Sequence, residues 1–233
     1  LFVFPLFLVM CVISMLVALL RPFHRNNTYF AANMFCKLAP LVGVKLINRV
    51  PKSITDSPKV VIANHQSNYD VITTTAGVTP GVVSVGKKSL KWIPLFGQLY
   101  WLAGNILIDR NNKFKAKQTM NDLQSHMRKR NLSIWVFPEG TRSKGRGLLP
   151  FKKGAFHIAL QAQVPIIPVV LSTLDSLSLN RWDNGYAIVE NLEPIDTSKF
   201  DESQVKELAE IAHDRMKEKL EQLDAEVAKL NSK

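Results

Sequence analysis

Cysteine is scarce: of 233 residues only Cys11 and Cys36 carry a thiol. Both sit in apolar stretches and neither looks placed for a disulfide, which fits a reducing compartment rather than a disulfide-stapled secreted domain. Charge is missing altogether from Leu1 to Leu20, a run long enough to enter or cross a bilayer. No basic residues precede that run and no small-x-small site follows it, so it does not read as a cleaved signal peptide. The chain does not open on methionine, which reads as a trimmed or renumbered chain with part of the leader unseen. Acidic residues are few between Gly86 and Ala155, where three face fifteen Lys and Arg. Such a region calls for an anionic partner: phosphate groups, a membrane surface or nucleic acid. A serine-hydrolase elbow, G-x-S-x-G, is missing too, since the glycines and serine of Gly81 to Gly86 have the wrong spacing. The histidines other than His65 (His24, His126, His157 and His213) stand in unrelated contexts, which argues against a metal site. No internal repeat or low-complexity tract is seen.

What is present is enough chain for one sizeable core with an appendage. The apolar leader is followed at once by Arg21, His24 and Arg25, which by the positive-inside tendency puts the rest of the chain on the cytoplasmic side. Phe30 to Val50 is apolar but broken by Pro40 and Gly43 and carries Lys37 and Lys45; it predicts a helix lying in the interface or beside the first. Residues 1–50 therefore read as membrane-anchoring helices, 51–58 as a polar linker, and 59–233 as the globular domain. From Lys59 onward, apolar runs alternate with helical patterns. Strands are expected at Val60–Ala63, Val82–Val85, Ile106–Ile108, Ser133–Phe137, Ile166–Leu171 and Tyr186–Val189. Helices are expected at Val71–Ala76, Ser89–Leu102, Lys113–Arg130 and Gly154–Gln163, with a long amphipathic helix at the end. The alternation predicts an α/β fold, a mostly parallel sheet flanked by helices. Trp92, Phe96 and Tyr100 recur every four residues after Lys87, Lys88 and Lys91, a pattern that suits either a bilayer interface or a core-facing helix.

The chemistry is expected at Ile62-Ala63-Asn64-His65-Gln66-Ser67-Asn68-Tyr69-Asp70. A short β-branched run ending at Asn-His reads as a buried strand that delivers His65 into a loop. A turn between can fold Asp70 back onto one ring nitrogen of His65 and leave the other free as a base. The same residues also fit a surface histidine beside a helix-capping aspartate. Gly104 to Arg110 ends a second strand with an Asp-Arg pair, and Phe137-Pro138-Glu139-Gly140-Thr141-Arg142-Ser143 ends a third. If those strands are parallel neighbours of the first, Arg110 and Arg142 meet His65 at one crevice, where arginine matches phosphate and Gly140 lets backbone come close. A fourth stretch, Val164-Pro165-Ile166-Ile167-Pro168, says by itself only strand entry.

With these four blocks in order, the chain closely resembles the glycerolipid acyltransferases, and within them the bacterial 1-acylglycerol-3-phosphate acyltransferases. The resemblance runs from about Arg21 into the final helix. Its first block is Asn64-His65 with Asp70, the H-x4-D pattern; the second is Gly104 to Arg110; the third is Phe137 to Ser143; the fourth is Val164 to Pro168. It implies acyl transfer from acyl-coenzyme A or acyl carrier protein to the 2-hydroxyl of lysophosphatidic acid, in phospholipid biosynthesis. His65 would be the general base and Asp70 its partner. Lys87, Lys88, Arg110 and Arg142 would hold the acceptor's phosphate, and Asn64, Glu139, Gly140 and Thr141 would support the motif, Glu139 by positioning an arginine or a hydroxyl. No cofactor, metal or nucleic acid is implied, and the setting is the cytoplasmic face of the bacterial inner membrane. Asn105 and Leu107 fill variable positions of the second block. The blocks do not choose among lysophospholipid or glycerol-3-phosphate acceptors, and a basic lipid-binding module without chemistry is the alternative from another class.

Overall fold

The computed structural model describes residues 3–51, 57–109, 119, 123–125, 127–174, 177–178 and 181–232. Among them, seven strands form one sheet: β1 (Val44–Arg49), β2 (Val60–Ala63), β3 (Val82–Lys87), β4 (Ile106–Ile108), β5 (Ser133–Val136), β6 (Ile166–Leu171) and β7 (Gly185–Asn191). Their order is β1-β7-β6-β2-β5-β3-β4. β6 and β7 pair antiparallel and every other pairing is parallel, so β1 and β7 run against the other five. The helices are α1 (Val3–Leu20), α2 (Asn27–Phe35), α3 (Phe96–Leu102), α4 (Gly154–Ala162) and α5 (Val205–Asn231).

Helices cover both faces of the central strands, which is why β2 and β6 are buried along their whole length and read as continuous apolar runs rather than alternating ones. Alternate residues still go to opposite faces. Val60, Ile62, Ile134, Ile166 and Val170 pack with Phe156 and Ile158 of α4 and Leu208, Met216 and Leu223 of α5. Val61, Ala63, Trp135, Ile167, Val169 and Leu171 face the other way, toward Leu38 and Val42. α1 packs on α2 and α3, with the Phe7 ring tilted against those of Phe35 (4.9 Å) and Phe96 (6.1 Å) and with Cys11 and Ala18 buried. Its first turns, Val3, Leu6 and Phe7, rest on the same cluster as Tyr69, Val71 and Phe137, so the apolar helix begins beside the edge that carries His65. Its outer face, with Phe4, Val9, Leu16, Leu19 and Leu20, is exposed.

The predicted α/β architecture is present, but several elements differ from expectation. Residues 44–49 are not part of an anchoring helix. Gly43 takes a left-handed φ of 71° that ends the preceding turn, and the strand that follows is completed by non-local pairing with β7. In place of a helix over Val71–Ala76 there are two 3-10 turns, Asn68–Val71 and Thr74–Gly77. β-Branched threonines dominate this stretch, and the hydroxyls of Thr73 and Thr75 donate back to the carbonyls of Tyr69 and Val71, an arrangement that weakens a regular helix. The helix expected over Ser89–Leu102 is split at Pro94, which holds Ile93 extended. A 3-10 turn over Lys88–Trp92 precedes the break and α3 follows it. Most of the helix expected at Lys113–Arg130 lies outside the described residues.

Candidate active site

β2 delivers its chain end to the carboxyl edge of the sheet, and there the H-x4-D residues close on themselves. Nδ1 of His65 lies 2.5 Å from Oδ2 of Asp70. Because a carboxylate can only accept, Nδ1 carries a proton, and in the neutral ring Nε2 keeps its lone pair. Asp70 is itself fixed by the local turn. It accepts from the backbone amides of Gln66 (2.8 Å) and Ser67 (3.3 Å), while the Ser67 hydroxyl caps the same turn at Tyr69 N (3.1 Å). The carboxylate is buried, whereas a quarter of the His65 side chain (24%) remains open to solvent, so one partner is held and the other can meet a substrate.

The loop after β5 is latched onto this turn. Glu139 accepts from the amide of His65 (2.7 Å) with one oxygen and from the amide of Leu149 (3.0 Å) with the other. Ser143 N and Lys144 N donate to the carbonyls of His65 (2.8 Å) and Gln66 (3.1 Å). Among the described residues the partners of Glu139 are thus main-chain donors, one on each oxygen, rather than the arginine or hydroxyl expected from sequence. Burial pushes its carboxyl above the ordinary value of 4.5, and the two amides pull the other way without overcoming it. Phe137 stacks under the His65 ring at 4.2 Å. Arg142 is held through a hydrogen bond from its guanidinium to the Asn68 side chain, and Thr141 is exposed beside it. Gly140, at φ 69°, leaves room for the end of the Lys152 side chain, which a Cβ there would meet at 2.7 Å.

Lys87 and Lys88 come to the same edge from β3, two strands away from β2. Lys88 pairs with Asp109 at 3.3 Å. Together with Ser89, Lys91 and Trp92 these residues line an open cleft of about 480 Å³ between the ends of β3 and β4. Arg110 lies outside the described residues. Asn105, by contrast, is structural: its side-chain oxygen accepts from the amide of Ser84 and from the hydroxyl of Thr28.

Two side chains flanking His65 support the turn, Asn64, which was expected to, and Gln66, which was not. Asn64 is buried and exchanges both hydrogen bonds with the backbone of Leu171 (2.8 and 2.9 Å), extending the β2–β6 ladder through a side chain. Gln66, also buried, donates to the carbonyls of Leu171 and Ser172 and accepts from Leu174 N. Thr173, in the same stretch, is bonded twice to Asp224 of α5. Their polarity next to His65 was visible in the sequence; their partners, over a hundred residues away in the chain, were not.

The fold and the site define a class: an α/β body whose sheet edge carries a carboxylate-oriented imidazole near lysines and an arginine. Comparison with known proteins gives the family. Residues 42–172 match the model of the Acyltransferase family, and the chain belongs to it. It is 51% identical over 223 residues to the 1-acyl-sn-glycerol-3-phosphate acyltransferase of Escherichia coli, covering 95% of this chain and 91% of that one. It is 49% identical over 226 residues to the protein of the same name from Haemophilus influenzae, covering 96% and 94%. The crystal structure of the 1-acyl-sn-glycerophosphate acyltransferase from Thermotoga maritima has the same fold, with a TM-score of 0.69 at 22% identity over 91% of this chain and 88% of that one.

Proposed function

We propose that this chain moves a fatty acyl group from a thioester, acyl-coenzyme A or acyl carrier protein, to the free 2-hydroxyl of 1-acylglycerol-3-phosphate, giving phosphatidic acid. The observation that carries the reading is the His65 ring, with Nδ1 engaged by Asp70 and Nε2 free at the sheet edge. The name borne by the bacterial relatives supports the same acceptor. The hydroxyl oxygen bonds to the thioester carbonyl carbon as its proton passes to Nε2. When the carbon–sulfur bond then breaks, the imidazolium returns that proton to the departing sulfur. Atoms and charge balance between the two substrates, and no enzyme nucleophile takes part. Asp70 keeps the tautomer and stabilises the imidazolium. Arg142, with Lys87 or Lys88 and Arg110, holds the acceptor's phosphate; Asn64, Glu139, Gly140 and Thr141 form the frame around the base.

The acceptor is a lipid, and α1 offers the means to reach it. Its exposed apolar face, with Ile93 and Trp101 also exposed, supports attachment to a membrane. Because α1 packs against α2 and α3, we assign it to one side of the bilayer, carrying the body with it, and the stretch ahead of β1 to anchoring. Arg21, His24 and Arg25 support the cytoplasmic face of a bacterial inner membrane.

Release of free thiol from acyl-coenzyme A tests the function directly. Release that depends on added lysophosphatidic acid, and is weaker with other lysolipids or with glycerol-3-phosphate, is the expected result. No release with any acceptor would leave a binding module instead.

A further inference from the structure

The cleft between the ends of β3 and β4 is lined not only by Lys87 and Lys88, given above to the acceptor's phosphate, but also by Ser89, Lys91 and Trp92. We propose that its outer part, Lys91 and Trp92 with Ser89, binds the phosphate-bearing end of the acyl donor, the phosphopantetheine phosphate that acyl-coenzyme A and acyl carrier protein share. This inference rests on the acyl-transfer reading above.

The register fixes the distances. Ile62 aligns with Val136 on β5, Ser84 with Trp135, and Val85 with Ile106, so His65, Lys88 and Asp109 leave the sheet at one level, three residues beyond it. With neighbouring strands about 4.8 Å apart, the ends of β3 and β4 stand roughly 10 and 14 Å from the end of β2. In the acceptor, the phosphate sits on the carbon next to the one bearing the free hydroxyl. Once that hydroxyl is at Nε2 of His65, the phosphate stays near the end of β2, toward Arg142 on the adjoining loop and Lys87. In the donor, the thioester and the first phosphate are joined by a flexible arm many bonds long. The donor's longer arm lets its reacting carbon sit at His65 while its phosphate reaches Lys91, on the 3-10 turn that follows β3.

The chemistry of the lining agrees. Three lysines face one aspartate; Asp109 is engaged by Lys88, and with Lys87 turned to the acceptor's phosphate, Lys91 is left for a second anion. The Lys91 ammonium stands 4.5 Å from the centre of the Trp92 ring, and that indole is 75% exposed. An exposed indole beside an ammonium suits a group that combines phosphate with an apolar or stacking portion. About 480 Å³ is the size of a small-molecule site. A bilayer contact is the competing use of Trp92. A concave cleft whose one carboxylate is paired with Lys88 fits a single anionic ligand better than a lipid surface, and the latter is assigned above to the apolar face of α1.

The test uses the full-length chain with Lys91→Ala, Trp92→Ala and the double variant, both residues being solvent-accessible enough for the fold to persist. With thiol release as the assay, KM for acyl-coenzyme A and for acyl carrier protein should each rise about tenfold or more, as loss of a charged contact demands, while KM for lysophosphatidic acid stays within about twofold. An equal rise for donor and acceptor, a rise for one donor only, or no rise would overturn the proposal. So would loss of sedimentation with phosphatidylglycerol and phosphatidylethanolamine vesicles at unchanged donor KM, which would give Trp92 to the bilayer. Calorimetric titration of coenzyme A into the wild type and the double variant reads the site without turnover. Binding by the wild type that is lost in the variant supports the site even if no acceptor is acylated, whereas turnover with undiminished coenzyme A binding in the variant sinks this inference alone.

Discussion

His65 and Asp70 act as a unit only if the ring proton stays on Nδ1, and the 2.5 Å contact between them is where that is decided. His65→Ala should lower kcat by about 10²–10⁴ with the fold intact, since the ring is partly exposed and fills no core position. Asp70→Asn keeps the size of the side chain but can present its amide to Nδ1 and so move the ring proton to Nε2; its loss should approach that of His65→Ala. The double variant should be little worse than either single one, and multiplicative losses would mean that the two do not work together. Arg142 makes a different kind of contact. Arg142→Ala should raise KM for lysophosphatidic acid by the equivalent of about 1.5–3 kcal/mol, the range for a hydrogen bond to a charged group. KM for acyl-coenzyme A should move far less, and equal effects on both would withdraw the residue from the acceptor's phosphate.

At the scale of elements, the loop after β5 and the turn after β2 are joined by one buried carboxylate, and its titration separates stability from activity. Burial raises the Glu139 carboxyl above its unfolded value. The folded state therefore holds the proton more tightly than the unfolded one, and the stability this contributes is full below the ordinary value of 4.5 and fades as pH rises through the raised one. Glu139→Gln removes that titration. Melting temperatures of wild type and variant, compared from about pH 4 to about pH 7, should show the wild type losing ground relative to the variant as pH rises; a difference that grows the other way would mean that the two amide bonds outweigh burial. Turnover should respond in the opposite sense. An amide offers one acceptor oxygen where the carboxylate offers two, so either His65 N or Leu149 N loses its partner, and kcat should fall even where the variant is the more stable protein.

For the whole molecule, the question is how the sheet edge meets its lipid. Deleting α1 would also strip Phe35, Leu99 and Ala103 of their cover, so substitution on its outer face is the cleaner probe. Leu16→Glu combined with Leu19→Glu changes two exposed residues and should release the protein from membranes in salt and carbonate washes, while the melting temperature moves little. Activity should fall on bilayer-embedded acceptor and persist on acceptor in detergent micelles. Full retention on membranes would move the attachment elsewhere, with Ile93 and Trp101 next in line.

Much of this was legible in the residues alone. The continuous apolar runs of β2 and β6, the alternation of strand and helix patterns, the uncharged leader and the His65–Asp70 spacing are local properties, written in composition and period. Local patterns could not disclose that Val44–Arg49 is a strand, because an edge strand that carries Lys45, Asn48 and Arg49 is specified by β7, some 140 residues later. Nor could they place Glu139. A carboxylate in a loop can serve an arginine, a hydroxyl or an amide equally well, and which of these it finds depends on the parallel neighbours β2 and β5 bringing His65 N and Leu149 N to its two oxygens. The sequence by itself determined the α/β class, most of the strands and the spacing that lets Asp70 reach His65. Only the tertiary structure decided which strand ends stand side by side, and hence which backbone, which cations and which cleft surround the base, because those distances come from sheet order and register rather than from spacing along the chain.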